Sequence, residues 1–399
     1  MIDETLAKRN IGVLTAAQAL GGASPPIIMS LGGLVGQQLS SNPAWVTFPV
    51  SLFGLGLALG TLPAAFFMRR WGRRNAYILG AMTGVVGGLI AAFGIFAKSF
   101  PIFCLGAFVA GFYSSYVQSY RFAATDSAEG DLKAKAISWV MVGGLAGAVI
   151  GPQLVIWTRD ALPGAPYAGS FLSQALLPIL AIPILLMLRR PPSEPTGQTE
   201  SGGRSLFAIL TMPRYMLAVA TGVVSYGLMA FVMTAAPIAM VADGHSVDNA
   251  ALGIQWHLLA MFAPSFVTGR LMVRFGKERV TAAGLVLIAI SGLVALAGTA
   301  LPHFWGSLAL LGIGWNFSFI GATAMVTDCH TPAERGKAQG ANDFLIFGTT
   351  AAVSFLAGSI LHSSGWAMIN WLIFPVVAAI LVPLVWQAAR GSGAPFRPA

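Results

Sequence analysis

The sequence predicts an all-α polytopic membrane protein with twelve transmembrane helices in two pseudo-symmetric six-helix bundles. Three observations carry this prediction. Charged residues are only 9% of the 399 and hydrophobic ones 56%, against roughly 25% charged in an ordinary soluble domain. So few charges cannot cover a globule of this size, which excludes a soluble enzyme, and so apolar a chain is not disordered. Apolar runs of spanning length recur along the whole chain, and a set of landmarks appears twice, about 200 residues apart.

The first six runs lie at 11–38, 43–67, 76–97, 101–123, 136–158 and 170–188. The other six lie at 213–240, 250–272, 280–300, 304–326, 339–361 and 366–388. Each is near the roughly 20 residues that cross a bilayer as helix. The short alternating segments of a barrel are absent, and backbone polar groups in lipid then require helices. The first run follows Lys8 and Arg9 but is longer than the apolar core of a signal peptide, so it reads as a span. Between the two sets, RRPPSEPTGQTESGGRS is rich in Pro, Gly, Ser and charge. It predicts a linker over 189–211 between bundles at 1–188 and 212–399.

Charge placement orients the spans. With the N-terminus in the cytoplasm, 21 of the 23 Lys and Arg fall on the cytoplasmic side, leaving only Lys98 and Arg159 outside. This bias predicts a multi-pass protein of the cell inner membrane with both termini cytoplasmic. It also accounts for the net charge of +9, with anionic inner-leaflet lipid as the partner and no nucleic acid. The two cysteines, Cys104 and Cys329, form no metal spacing. No phosphate loop, HExxH or catalytic triad is legible, so neither a cofactor nor enzymatic chemistry is expected.

Repeats come next. RRWGRR (69–74) follows the second span and VRFGKE (273–278) follows the eighth, with glycines Gly72 and Gly276 204 residues apart. Thr125-Asp126 with KAKA after the fourth span matches Thr327-Asp328 with RGKA after the tenth. SPPIIMS, holding Pro25 and Pro26, echoes AAPIAMV, holding Pro237. A duplicated six-helix unit implies two bundles with a cavity between them, and prolines at matching places predict kinks there.

On these residues the chain resembles the major facilitator superfamily of secondary transporters. The loop from Ala65 through Arg69, Arg70, Trp71, Gly72, Arg73 and Arg74 looks like the family signature after the second span, with Arg69 in place of its acid. The copy from Gly269 to Lys277 includes Arg274 and has Val273 at the acid position. The resemblance implies that this loop helps to lock a cytoplasmic gate. Gly143, Gly147, Gly151 and Pro152 in the fifth span resemble the glycine-rich signature of exporters and antiporters. Small residues spaced by four also serve plain helix packing.

Candidate gate residues are therefore Arg69, Arg70, Arg73, Arg74, Asp126, Arg274 and Asp343. Asp126 is expected to pair with Arg73 or Arg74. Asp343, opening the eleventh span, either caps its helix or pairs with the basic loop. Candidate cavity residues are Gln18, Tyr113, Tyr116, Gln118, Tyr120, Arg121, Tyr226, Gln255, Trp315 and Asn316. The three tyrosines share one helical face that either lines the cavity or packs inside the bundle. Arg121 either holds an anionic solute or snorkels to the interface. His257 and Asp343 are the candidate proton carriers, though a structural, hydrogen-bonded histidine is the favoured reading of His257. A weakly charged, aromatic and amide-rich cavity suits a small, partly apolar or aromatic organic solute. The expectation is a monomeric secondary transporter working by alternating access, with proton-coupled export as one version. Import or uncoupled facilitation of a nutrient, and a non-transporting membrane sensor, are the alternatives.

Overall fold

The computed structural model describes residues 4–126, 131–189 and 203–389, and no strand occurs among the described residues. The first half holds α1 (Glu4–Gly21), α2 (Ser24–Leu39), α3 (Phe48–Phe96), α4 (Phe100–Gln118), α5 (Tyr120–Asp126), α6 (Asp131–Thr158) and α7 (Ala168–Leu186). The second holds α8 (Leu206–Leu210), α9 (Pro213–Ala242), α10 (Val247–Phe262), α11 (Ser265–Phe275) and α12 (Lys277–Leu296). It closes with α13 (Leu301–Thr327), α14 (Arg335–Trp371) and α15 (Ile373–Ala389).

Among the described residues, nine helical segments are long and apolar enough to cross a membrane, or ten with α10 and α11 joined across their 42° bend. Two of them, Pro43–Phe96 and Arg335–Gln387, hold 54 and 53 residues. At about 1.5 Å per residue each is near 80 Å long, over twice the roughly 30 Å hydrocarbon core. Each therefore supplies two crossings, which agrees with twelve spans in all.

The reversal inside α3 falls at Gly72, with φ 76° and ψ 162°. Gly276, between α11 and α12, has φ 89° and ψ 151°. Positive φ with extended ψ is essentially a glycine-only conformation. The repeat thus extends from letters to backbone geometry, with the same turn at both copies. Gly365 divides α14 and α15's shared segment in a similar way, with φ 78° and ψ 179°.

Small residues set the closest packing. A Cβ on Gly147 would lie 2.7 Å from the carbonyl carbon of Gly22, and one on Gly151 would lie 2.5 Å from the Ala23 oxygen. Gly143 likewise faces the Thr15 carbonyl. The glycine stripe of α6 is therefore a seat for α1 and α2. The first span breaks at Gly22–Ala23, and Pro25 and Pro26 fall in the first turn of α2, where a missing N–H costs nothing. Its buried Ser24 hydroxyl accepts from Gln174 Nε2 at 2.8 Å. Pro152 lies inside α6. Pro237, unlike Pro25 and Pro26, lies inside a helix, α9, which runs from Pro213 to Ala242. Two breaks that the sequence did not announce occur at Ser119 and at Ala263–Pro264.

Both ends of the linker are clamped. Asn10 grips the Arg189 backbone at two points, donating Nδ2–H to its carbonyl at 2.9 Å and accepting its N–H at 3.1 Å. At the other end Arg204 forks onto Glu334, Nε to Oε1 at 2.8 Å and Nη2 to Oε2 at 2.7 Å. Arg204 also donates to the Cys329 carbonyl at 2.9 Å, and the Thr331 N–H donates to Glu334 at 3.0 Å. Within the predicted linker, Leu206–Leu210 is helical, with its first turn accepted by Ser205 Oγ. Residues 190–202 and the side chain of Asp126 lie outside the described residues.

The fork holds the Glu334 carboxyl well below the usual carboxylate range. A depressed folded value stabilises above the ordinary glutamate value near 4.5 and is lost as pH falls through the folded one. Glu334→Ala should cost roughly 3 kcal/mol, the low end for breaking a buried pair, because the Arg204 side chain is 31% exposed. Thermal unfolding in detergent at pH 7 checks this. The wild-type advantage over the variant should hold from pH 7 to 5 and shrink on further acidification.

Candidate functional site

The two halves meet on the face away from the basic loops. Thr47 donates to the Phe355 carbonyl at 3.1 Å and accepts the Gly358 N–H at 3.2 Å. The rings of Trp45 and Phe48 pack edge-on against Phe355. Gln153 donates to Gln255 at 3.0 Å. Arg159 pairs with Asp248 at 3.1 Å and with its own neighbour Asp160 at 3.2 Å. The bent eighth span follows this division: α10 packs on α6 across the halves, whereas α11 packs on α12 and α13 of its own half.

Toward the basic side, Arg121 on α5 and Asp343 on α14 are exposed side chains of different halves. They lie within electrostatic range of one another and form no ion pair together. Asn342 donates to the Asp343 carboxylate at 3.1 Å.

Tyr226 is the hub of an aromatic cluster. Trp315, Phe319 and Phe347 stand edge-on to it at 5.6, 5.2 and 5.7 Å between ring centroids. Trp315 and Phe319 stack at 4.8 Å and 18°. Met229, Met233 and Met261 extend the cluster, and Met29 joins it from the first half. Polarisable thioethers beside aromatic faces make an adaptable apolar wall. The Trp315 indole N–H is buried there with no hydrogen-bond partner, an arrangement that costs free energy until something accepts from it.

The other anticipated residues are distributed as follows. Gln118 is exposed at the end of α4, and Gln18 is half-buried against Gly143 of α6. Tyr113, Tyr116 and Tyr120 are buried inside the first half. Tyr120 packs edge-on to Tyr77, while Gly80 and Gly84 leave room for the rings of Tyr116 and Tyr113. Asn316 is also buried. Its amide donates to the Met261 carbonyl at 2.7 Å and to Ser265 at 2.6 Å, and accepts from Thr268 at 2.5 Å. It therefore satisfies the helix ends exposed by the break at Pro264. Gln255 is spent on Gln153 between the halves. His257 is fully buried, with Nδ1 on the Leu308 carbonyl at 2.8 Å.

Of the anticipated gate residues, Arg69, Arg70, Arg74 and Arg274 are exposed, and Arg73 is half-buried. Asp343 lies in the third turn of α14, too far along to cap it, and it forms no ion pair with the basic loop; its carboxylate accepts from Asn342. In the second copy of the repeat, Lys277 pairs with Asp328 at 2.7 Å, and Arg214 reaches Asp328 at 3.6 Å. These are the counterparts of Arg73 and Asp126. Sequence reading did not find Phe319 and Phe347. Each lies four residues, one helical turn, beyond a residue that it did find, Trp315 and Asp343.

Paired helical halves that repeat one loop turn and join on one face define a membrane protein of the two-bundle kind. The Major Facilitator Superfamily profile matches residues 11–263 and 217–396, and the chain belongs to that family of transporters. It is 70% identical over 387 residues to the riboflavin transporter RfnT of Brucella anthropi, covering 96% of this chain and 97% of that one. An uncharacterised transporter of the same type, YdeG of Bacillus subtilis, is 30% identical, covering 97% and 94%. Among solved structures, the xylose transporter XylE from E. coli superposes with a TM-score of 0.75 at 13% identity, covering 96% and 98%. A mutant of the nucleoside transporter NupG gives 0.72 at 14%, covering 96% and 99%.

Two outcomes follow from the geometry. Arg159→Gln should favour separation of the halves on the face away from the basic loops. Spin labels on Ser41 and Ser363 should report a longer-distance population enriched by up to about fivefold, because a partly exposed pair is worth at most ~1 kcal/mol. Asn316→Leu should lower thermal stability by roughly 1–3 kcal/mol, by leaving the Met261 carbonyl unsatisfied.

Proposed function

We propose that this chain carries riboflavin, or a flavin of the same ring chemistry, across the cell inner membrane by alternating access. The observation that carries the reading is the Tyr226, Trp315, Phe319 and Phe347 cluster with its unpartnered indole N–H, opening on Arg121 and Asp343. A flat heteroaromatic ring offers faces to stack on those side chains and acceptors for the indole. The high identity to a riboflavin transporter over nearly the full length supports the same solute.

In this proposal the bundles at 1–188 and 212–399 rock about the site as a monomer, joined by 189–211. The basic loops face the cytoplasm and anionic lipid, by the charge rule. The arrangement with joined halves on the opposite face is then the inward-facing state, and the contacts around Thr47, Gln153 and Arg159 are those that break when the site opens outward. Arg69, Arg70, Arg73, Arg74, Asp126 and Arg274 act at the cytoplasmic gate. We assign proton coupling to Asp343, which water reaches, and not to His257, which is sealed. The glycines of α6 are occupied in packing on α1 and α2 and carry no argument for export. A secondary carrier is reversible, so the solute and proton gradients set the net direction.

Proteoliposome flux tests the reading. Wild-type protein should move riboflavin saturably, and Trp315→Ala should weaken its binding about tenfold or more through lost stacking. A proton gradient should change the wild-type flux and leave that of Asp343→Asn unchanged. Absence of riboflavin flux under any gradient sinks the solute assignment. An indifferent wild type sinks the coupling.

A further inference from the structure

We infer that Gln153 and Gln255 read the imide edge of the solute's ring, so that the amide pair joining the halves is also a specificity determinant of the site. This rests on the flavin reading and deepens it.

The pair is the inner rung of a seam between the halves. Helices α6 and α10 pack together, and their side chains meet in antiparallel order: Arg159, just past the end of α6, with Asp248 at 3.1 Å, then Gln153 with Gln255 at 3.0 Å. Asp248 lies in the first turn of α10. Gln255 follows two turns later, about 10 Å deeper along the helix. The charged rung is therefore the outer one and the amide rung the inner one.

At that depth both helices reach the aromatic wall. Ala148 of α6 and Ile254, Leu258 and Met261 of α10 belong to the same buried cluster as Trp315, and Tyr226 and Phe319 pack against it. Gln255 stands between Ile254 and Leu258 in α10. The amide rung thus borders the wall.

A primary amide offers one carbonyl oxygen and two N–H donors. The bond between the two amides uses one oxygen and one N–H. Among the described residues nothing else bonds to either side chain, so one carbonyl oxygen and one amide nitrogen remain without a protein partner. That holds whichever way the two amides are turned. Neither remaining group is sealed inside protein, and hydrocarbon cannot satisfy it, so water or a solute does. One acceptor beside one donor complements a ring edge on which an N–H adjoins a carbonyl, as in the imide edge of a flavin. With the ring stacked on the aromatic wall, that edge meets the amides. Because they come from different halves, the reader is assembled only while the outer face is joined. A site built to hydrogen-bond a ring N–H rejects an analogue without it, because the site's own polar groups are then left unpaired.

The experiment is equilibrium binding by purified protein in nanodiscs, read as quenching of flavin fluorescence, which does not depend on turnover. The probes are riboflavin and its N3-methyl derivative, which keeps the ring and side chain but lacks the imide N–H. Wild type should bind the methylated probe at least about tenfold more weakly. Gln153→Met and Gln255→Met should each narrow the gap to about threefold or less, chiefly by weakening riboflavin. The gap is a ratio within one protein, so a general loss of affinity, as from a merely structural role, does not move it. Thermal unfolding checks that each variant is folded. Gln153→Asn and Gln255→Asn, polar but one methylene short, should narrow the gap as well and stand in for a Met variant that does not fold. Equal wild-type binding of the two probes overturns the inference, as does an undiminished gap in the folded variants. Failure of wild type to bind either probe overturns the flavin reading itself, and the edge recognition falls with it.

Discussion

Lipid offers no hydrogen-bond partner to a backbone amide, and the rest of this structure depends on that constraint. It makes every crossing helical, and it makes each interruption of a helix a liability that a neighbour must resolve. The break at Pro264 is resolved by Asn316, whose amide bonds a carbonyl before it and hydroxyls after it. The break at Ser119 sits beside Tyr77, and the Ser119 hydroxyl lies 3.1 Å from the tyrosine oxygen. The break before Ser24 is flanked by Gln174. In each case a polar side chain from another helix stands at the interruption, so the polar residues of these spans divide into those that repair helices and those that are free to meet a solute.

That division explains what was legible in the sequence. Hydropathy, the basic loops and the repeated RRWGRR and VRFGKE segments announced the class of fold, because each follows from a single-residue property at a fixed spacing. The turn geometry shared by Gly72 and Gly276 is the physical content of that repeat. The polar residues were harder. Asn316 and Tyr113 look like cavity residues in a list of span positions, yet one repairs a helix and the other fills the bundle. Their roles depend on which helix lies opposite, and no spacing rule encodes that.

The anticipated site was legible in part for the same reason. Arg121, Asp343, Tyr226 and Trp315 were identifiable because charge and aromatic polarity are rare inside spans. That Arg121 and Asp343 would come within electrostatic range from separate halves was not legible, since it is set by how the halves come together. Nor was the fork of Arg204 on Glu334, because the residues are 130 positions apart and both fall in loops that read as solvated.

The clamps at Asn10 and Arg204 have a consequence for how the halves are joined. Fourteen residues separate Arg189 from Arg204, a contour of roughly 45–50 Å when extended. Because each end is anchored to its own half, tension on that segment is borne by the anchors and not by the helices that surround the solute. The covalent link keeps the two anchored bodies at high mutual concentration. Cutting the chain between its two anchors would leave two fragments, each with its own anchor intact, that still find one another through the faces they share.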